Sequence, residues 1–232
     1  MSNHNEISSF IWNVCDDVLR GLFKQHEYGD VILPFVVLRR LDCVLEGKKD
    51  EIIKVHREYK DKFDDTSKII HSKLNLKFSN YSEYDLRRLK NEPNKLSDNF
   101  YDYLSSFSTN VQDIIQNFGL QKHIDKLEKN NKLYLLVEKF TDIDLHPSNV
   151  DNHVMGNIFE ELLRKFSEMS NETSGEHYTP RDVVKLLVSL VFSSDKEKLS
   201  DPNKIISVYD PCCGTGGMLT IGKDWVHENI NK

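Results

Sequence analysis

Ile205-Ile206-Ser207-Val208-Tyr209-Asp210-Pro211-Cys212-Cys213-Gly214-Thr215-Gly216-Gly217-Met218-Leu219 carries the most information in this chain. The apolar run Ile205 to Tyr209 reads as a buried strand, bounded by Asp201-Pro202-Asn203 before it and Asp210-Pro211 after it. A glycine-rich turn follows, and Met218, Leu219, Ile221 and Trp225 then space out like one face of a helix. Strand, glycine turn and helix make the opening unit of a doubly wound α/β fold, in which ligands sit beyond the carboxyl end of the strand. Gly214 and Gly216 lack a β-carbon, so the backbone there is free to take positive φ and to lie close to a ligand.

The turn also excludes two ligands. A dinucleotide fingerprint needs a third glycine where Leu219 stands, and a phosphate loop needs a Gly-Lys-Ser/Thr ending that is missing. Asp210 instead ends the strand, and a carboxylate there repels phosphate oxygens while suiting a cationic or hydroxyl-bearing ligand. S-adenosylmethionine, with its sulfonium, ammonium and ribose, fits that description. Asp210-Pro211-Cys212-Cys213-Gly214-Thr215-Gly216-Gly217 resembles the first motif of adenine-N6 DNA methyltransferases, Asp-Pro-x-x-Gly-Ser/Thr-Gly. The competing reading is a plain strand-to-helix turn whose glycines serve geometry alone.

Upstream, Gly175-Glu176-His177-Tyr178-Thr179-Pro180-Arg181-Asp182 reads as a sharp helix start, with Thr179 as N-cap and Pro180 at the first helical position. Val183, Val184, Leu186, Leu187, Leu190 and Val191 continue as its expected buried face. The free amides of such a start favour a carboxylate, which the methionine end of S-adenosylmethionine carries. From Thr-Pro alone, a capped helix without a ligand is the preferred reading. The order of the two motifs, Tyr-Thr-Pro before Asp-Pro-x-x-Gly, is similar to that of amino-methyltransferases with permuted motifs. By this resemblance Glu176, Tyr178, Thr179 and Pro180, with the adjoining His177 and Arg181, line the methionine end, and Asp210, Gly214, Thr215, Gly216 and Gly217 cradle the cofactor from the strand end. His177 stands where the family is usually aromatic and reads as a packed ring rather than a base.

The first 145 residues read as helices. Ile7, Phe10, Ile11, Val14, Val18, Leu19, Leu22 and Phe23 recur at helical steps, with Gly21 interrupting late and a break at Glu27-Tyr28-Gly29-Asp30. Val31 to Leu45 reads as a central helix with Pro34 near its start and with Arg39 and Arg40 on a solvated or ion-paired face. Lys48 to Lys62 reads as an exposed charged helix, and Ser82 and Ser97 as helix caps. Tyr84, Phe100, Tyr101, Tyr103 and Phe107 lie beside Arg87 and Arg88; such a mixture can stack bases, but at helical spacing aromatics read as core. Val111-Ile114-Ile115-Phe118 and Leu133-Leu136-Val137-Phe140 form two further faces. Ile11-Trp12-x-x-Cys15-Asp16-x-x-Leu19-Arg20-Gly21, Val31-Ile32-Leu33-Pro34 and Leu38-Arg39-Arg40-Leu41-Asp42 together resemble the N-terminal helical domain of the modification subunit of type I restriction-modification systems. Met155-Gly156-x-Ile158-Phe159-Glu160-x-Leu162-Leu163-x-x-Phe166, in a helix that Ser148 and Asp151 are spaced to cap, is similar to the same subunit.

The expected fold is therefore mainly α: a helical bundle over residues 1–146, then, over 147–232, the truncated start of a doubly wound, Rossmann-like methyltransferase domain. The resemblance implies transfer of a methyl group from S-adenosylmethionine to adenine N6, in a complex with a specificity subunit, a restriction subunit, a second modification subunit and DNA. That chemistry needs an Asn-Pro-Pro-aromatic motif to hold a flipped base, and no two of the six prolines are adjacent. The expectation is a truncated subunit, inactive alone, with residues 200–232 poorly anchored because a lone strand cannot bury its faces. Two further classes stay open: a helical interaction module without cofactor binding, and an α/β nucleotide enzyme of another kind, which Asp210 and Leu219 disfavour.

Composition sets the outer limits. The 232 residues carry a formal charge of −6, whereas a protein that grips DNA alone displays a basic face, so DNA contact is expected to be local or shared. The N-terminus has no export signal and no apolar run approaches bilayer length, which predicts a cytoplasmic chain with no membrane contact. Four cysteines without a Cys-x-x-Cys pair predict neither a metal site nor disulfides, with Cys212 and Cys213 filling a turn.

Overall fold

A computed structural model describes residues 2–169, 179–201, 205–213 and 216–230. The elements, in order, are α1 (Ser2–Val14), α2 (Tyr28–Leu45), α3 (Lys49–Tyr59), α4 (Ser67–Leu74), α5 (Leu86–Lys90), α6 (Leu96–Ser105), α7 (Thr109–Asn117), α8 (Gln121–Lys129), α9 (Leu133–Asp142), α10 (Asn152–Met169), α11 (Arg181–Ser193), α12 (Lys196–Leu199) and α13 (Gly217–Asn229). The chain is mainly α, and among the described residues there is no strand. It divides into two compact units, Met1–Glu172 and Thr173–Lys232. Among the described residues no helix is long and apolar enough to cross a membrane.

The first unit packs on the periodic faces read from the sequence. Ile7, Ile11, Val14, Val18 and Leu19 are buried, α1 running on into a π-helical turn over Cys15–Leu19. The break falls at Gly21, at φ +80°, and not at Glu27-Tyr28-Gly29-Asp30, because Tyr28 already starts α2. Pro34 is thus the seventh residue of α2, inside the helix rather than at its edge. Gly29 is where α10 crosses α2: a β-carbon there would stand 3.4 Å from Phe166. Phe35 packs on both Phe100 and Phe140, and Phe100, Tyr103 and Phe107 are all buried, as expected of core aromatics.

Four expectations about this unit are corrected. Arg39 and Arg40 are buried, not solvated. Arg39 Nε donates to the Ile143 carbonyl at 2.8 Å, while Arg40 Nη1 donates to the carbonyls of Leu145 and Val150 and Nη2 to Asn152 Oδ1. The two guanidiniums hold the 143–152 connection against α2, because a planar fork satisfies several carbonyls that no helix ladder reaches. α3 is likewise not an exposed helix: Ile52 and Val55 are buried with Leu45 and Ile70 in a second small core. Asp85, not Ser82, caps α5, accepting from the Arg88 amide at 2.8 Å, and α6 begins at Leu96, ahead of Ser97. Asp151 alone caps α10, accepting from the Val154 amide at 2.8 Å, while Ser148 bonds to His146 instead. In both cases the aspartate stands three residues before the amide it caps, the position from which a side-chain oxygen reaches the free first-turn amide.

In the second unit α11 packs on α13. A β-carbon at Gly222 would stand 3.0 Å from Phe192, and Phe192 meets Trp225 edge-on at 5.9 Å. Residues 205–209 are extended but form no strand, since no second strand among the described residues offers its amides and carbonyls a ladder. Their side chains stay in solvent, Ile205 at 100 % and Tyr209 at 85 % exposure. The expected buried face of α11 is also corrected: Val184 and Val188 are buried, whereas Val183, Leu186, Leu187, Leu190 and Val191 are exposed. Among the described residues α11 packs mainly on α13 and meets no sheet, so only one of its sides is covered.

Candidate functional site

The turn after residue 209 folds through its own short bonds. Asp210 Oδ1 accepts from the Cys212 amide at 2.9 Å, and the Gly216 amide donates to the Cys213 carbonyl at 2.7 Å. Gly216 takes φ +79°, the left-handed conformation that a side chain resists, and it caps α13. The Thr220 amide and hydroxyl both donate to the Gly216 carbonyl, which fixes the first turn of the helix. Cys212 and Cys213 are exposed in this turn and form no disulfide.

A hollow of about 300 Å³ opens beside the turn. Its walls are Leu187, Val188, Val191 and Phe192 of α11, Val208 to Pro211, and Met218 and Leu219 of α13. Its lining is mainly apolar, with Tyr209 and Asp210 as the residues that carry polar side chains, a combination that accepts an apolar or aromatic body bearing a cationic or hydroxyl group. The α11 wall was not legible as such, because the helix face had been assigned to an interior.

Helix α11 starts at Arg181, with Pro180 as its cap at φ −53° and ψ 136°; Thr179 therefore precedes the cap instead of forming it. Thr179, Pro180 and Arg181 do not line the hollow. Leu187, the first α11 residue that does, lies about 9 Å further along the helix axis. The described residues thus bring Asp210 to the hollow and place Gly216 and Gly217 at the adjoining helix start. Glu176, His177, Tyr178, Gly214 and Thr215 lie outside the described residues.

A charged cleft of about 210 Å³ lies in the first unit, lined by Arg39, Asp42, Glu46, Lys49, Asp50, Asp85, Arg87 and Arg88. Asp42 lies at its inner end, accepting from the Leu86 amide at 2.9 Å and from the Tyr103 hydroxyl at 2.8 Å. Burial pushes the Asp42 carboxyl up to about 7 in spite of those two bonds. Burial also lowers Lys49 to about 8, while its ammonium donates to the Asn80 carbonyl and Oδ1. Arg87 pairs with Glu46 and Arg88 with Asp50, so the rim is internally neutralised. The cleft reads as a structural network, and nothing in the sequence pattern marked it.

Comparison with known proteins gives two family matches. Residues 7–140 match the model described as the HsdM N-terminal domain, and residues 150–232 match the model described as N-6 DNA methylase. Similar curated proteins include the type I restriction enzyme MjaIX methylase subunit of Methanocaldococcus jannaschii, 26% identical over 92% of this chain and 38% of that protein. The type I restriction enzyme EcoEI methylase subunit of Escherichia coli is 33% identical over 46% of this chain and 19% of its own length. The EcoKI methylase subunit of Escherichia coli is 20% identical over 99% of this chain and 36% of its own length. The matched stretches thus span well under half of the length of these relatives.

Proposed function

The chain belongs to the HsdM N-terminal domain family and runs on into an N-6 DNA methylase segment, and from that premise we propose that it is the docking and cofactor-holding part of a type I modification subunit. The reaction it serves is transfer of a methyl group from S-adenosylmethionine to adenine N6 in DNA, in a complex with a specificity subunit, a restriction subunit and a second modification subunit. The observation that carries this reading is the Asp210 turn, whose carboxylate stands at an apolar hollow directly before the Gly216 helix cap.

Asp210 holds the polar end of the cofactor, and Gly216 and Gly217 let it approach the backbone. The amides at the α11 start, about 9 Å along the helix from Leu187, receive the methionine carboxylate of a cofactor that lies extended along α11. Residues 1–146 form the docking half and 147–232 the methylase half. These residues include no Asn-Pro-Pro-aromatic motif, so they hold no group for the adenine amino nitrogen and do not transfer methyl by themselves.

Calorimetry with S-adenosylmethionine tests this. The expected Kd is above about 100 µM, because the hollow is open and shallowly walled, and Asp210→Ala should abolish the residual heat. NAD binding as well as S-adenosylmethionine would overturn the assignment, and micromolar affinity would overturn the weak-binding part. A second reading has its own support: the first unit is densely packed whereas the cofactor turn is largely exposed, as in a pure interaction module. Co-elution with a specificity subunit, together with no response to cofactor, would favour it.

A further inference from the structure

The ion pairs of the charged cleft in the first unit close its rim and leave a buried cation uncompensated. Arg87 is held by Glu46, and Arg88 by Asp50 and, at 3.7 Å, by Asp85. Arg39, which also lines the cleft, is only 2 % exposed and makes a single hydrogen bond among the described residues, from Nε to the Ile143 carbonyl. Its two Nη groups are unbonded there, yet they are not sealed off, because the one dry, unpartnered side-chain nitrogen or oxygen among the described residues is Trp12 Nε1. The open space that Arg39 meets is this cleft. Lys49, also on its lining, uses two of its three donors on Asn80, a neutral acceptor. With Asp42 protonated, the cleft's four cations face three carboxylates, so one positive charge is left over.

We propose that this cleft binds a small monocarboxylate, gripped by both Nη groups of Arg39 and turning its short alkyl end to Leu45. A guanidinium whose Nε is engaged still offers a planar pair of donors, which matches the two oxygens of a carboxylate. A cation held out of water without a counter-ion is destabilising, and a bound anion removes that penalty. Size and charge restrict the ligand further. The cleft holds about 210 Å³, below the roughly 300–1,000 Å³ of pockets that take drug-sized ligands, so it is too small to enclose a nucleotide. One surplus charge suits a single anion, whereas a dianion would meet repulsion from Glu46, Asp50 and Asp85. Leu45, itself buried, supplies the apolar part of the wall. The cleft lies wholly in the first unit, so the inference stands whether or not the methyl-donor reading does.

Titration of the full chain with isotopically labelled acetate at constant ionic strength, followed by NMR, tests it. Binding should saturate with a Kd of about 1 mM near pH 6. Arg39→Lys keeps the charge and a donor for the Ile143 carbonyl but loses the fork, and should weaken binding at least about tenfold. Circular dichroism checks that the variant is folded. Should it not fold, a pH series on the parent chain decides. Asp42, met by Asp85, Lys49 and the Tyr103 hydroxyl, loses its proton through about 7. Lys49, met by Asp42, Asp85, Arg88 and Glu83, loses its own through about 8, while burial keeps the Tyr103 hydroxyl protonated. Both steps make the cleft less cationic, so affinity should fall at least about tenfold between about pH 6 and about pH 9. A response that does not saturate by about 30 mM, or a Kd unmoved by a folded Arg39→Lys or by pH, would overturn the proposal. Sulfate displacing acetate with equal affinity would overturn the preference for a single charge.

Discussion

Arg40 ties α2 to the connection that leads into α10. Its guanidinium donates to two main-chain carbonyls and one side-chain amide oxygen of the 145–152 connection, all from a buried position. Removing it leaves those acceptors dry, so Arg40→Ala should cost about 2–4 kcal/mol in urea unfolding, and Arg40→Lys most of that, since an ammonium lacks the fork. Asp42 makes a prediction of opposite character. Its carboxyl is raised to about 7 from 3.8, so its contribution to stability is whole below the unfolded value and is lost as pH rises through about 7. Lys49, lowered to about 8 from 10.5, contributes fully above 10.5 and loses that share as pH falls through 8. Asp42→Asn should therefore remove a downward slope of about 2–4 kcal/mol between pH 4 and 7 from the stability profile, measured as the difference from the parent chain. Neither arginine nor aspartate was legible as a buried group. Their partners lie 104 and more residues away for the arginines, and 44 and 61 for Asp42, beyond any local pattern.

At the scale of elements, apolar periodicity located the helices and their inner faces wherever a helix packs on several others. It placed α9 and α10 and found the inner faces of α1 and α2, though not the boundary between those two, because three- and four-residue spacing reports burial directly. Their ends were less legible, since Asp85 and Asp151 compete with neighbouring serines and geometry chooses between them. Residues 205–209 misled for a different reason: an apolar run states a tendency to extend, but a strand exists only with a partner. Gly216 was read correctly, its positive φ being a local demand of the turn. Gly222 was not singled out, yet it sets the approach of α11 to α13. Ala there gains up to about 1 kcal/mol of helix propensity. The added carbon would, however, press on Phe192 at 3.0 Å, and that ring is backed by Trp225. Overpacking costs about 1–3 kcal/mol, so Gly222→Ala should loosen the pair, read as faster hydrogen exchange in the amides of α11 and α13.

Over the whole molecule, charge and missing groups decide what these residues do without partners. The formal charge is −6, and several cations are already occupied: Arg57 by Glu83, Arg87 by Glu46, Arg88 by Asp50 and Lys139 by Asp17. Affinity for duplex DNA comes mainly from cations that displace counterions, and a net negative chain works against it, so binding without partners is expected to be weak. Fluorescence anisotropy with a DNA duplex in about 150 mM salt should therefore show no binding to the chain alone at micromolar protein. Labelled S-adenosylmethionine should deliver no methyl group to the same duplex. These two results must be read together. Binding without transfer would put a DNA contact in the first unit that its paired cations do not foretell. Transfer, in contrast, would require an acceptor for the adenine amino group other than the Asn-Pro-Pro-aromatic arrangement, and would overturn the assignment of these residues to docking and cofactor holding.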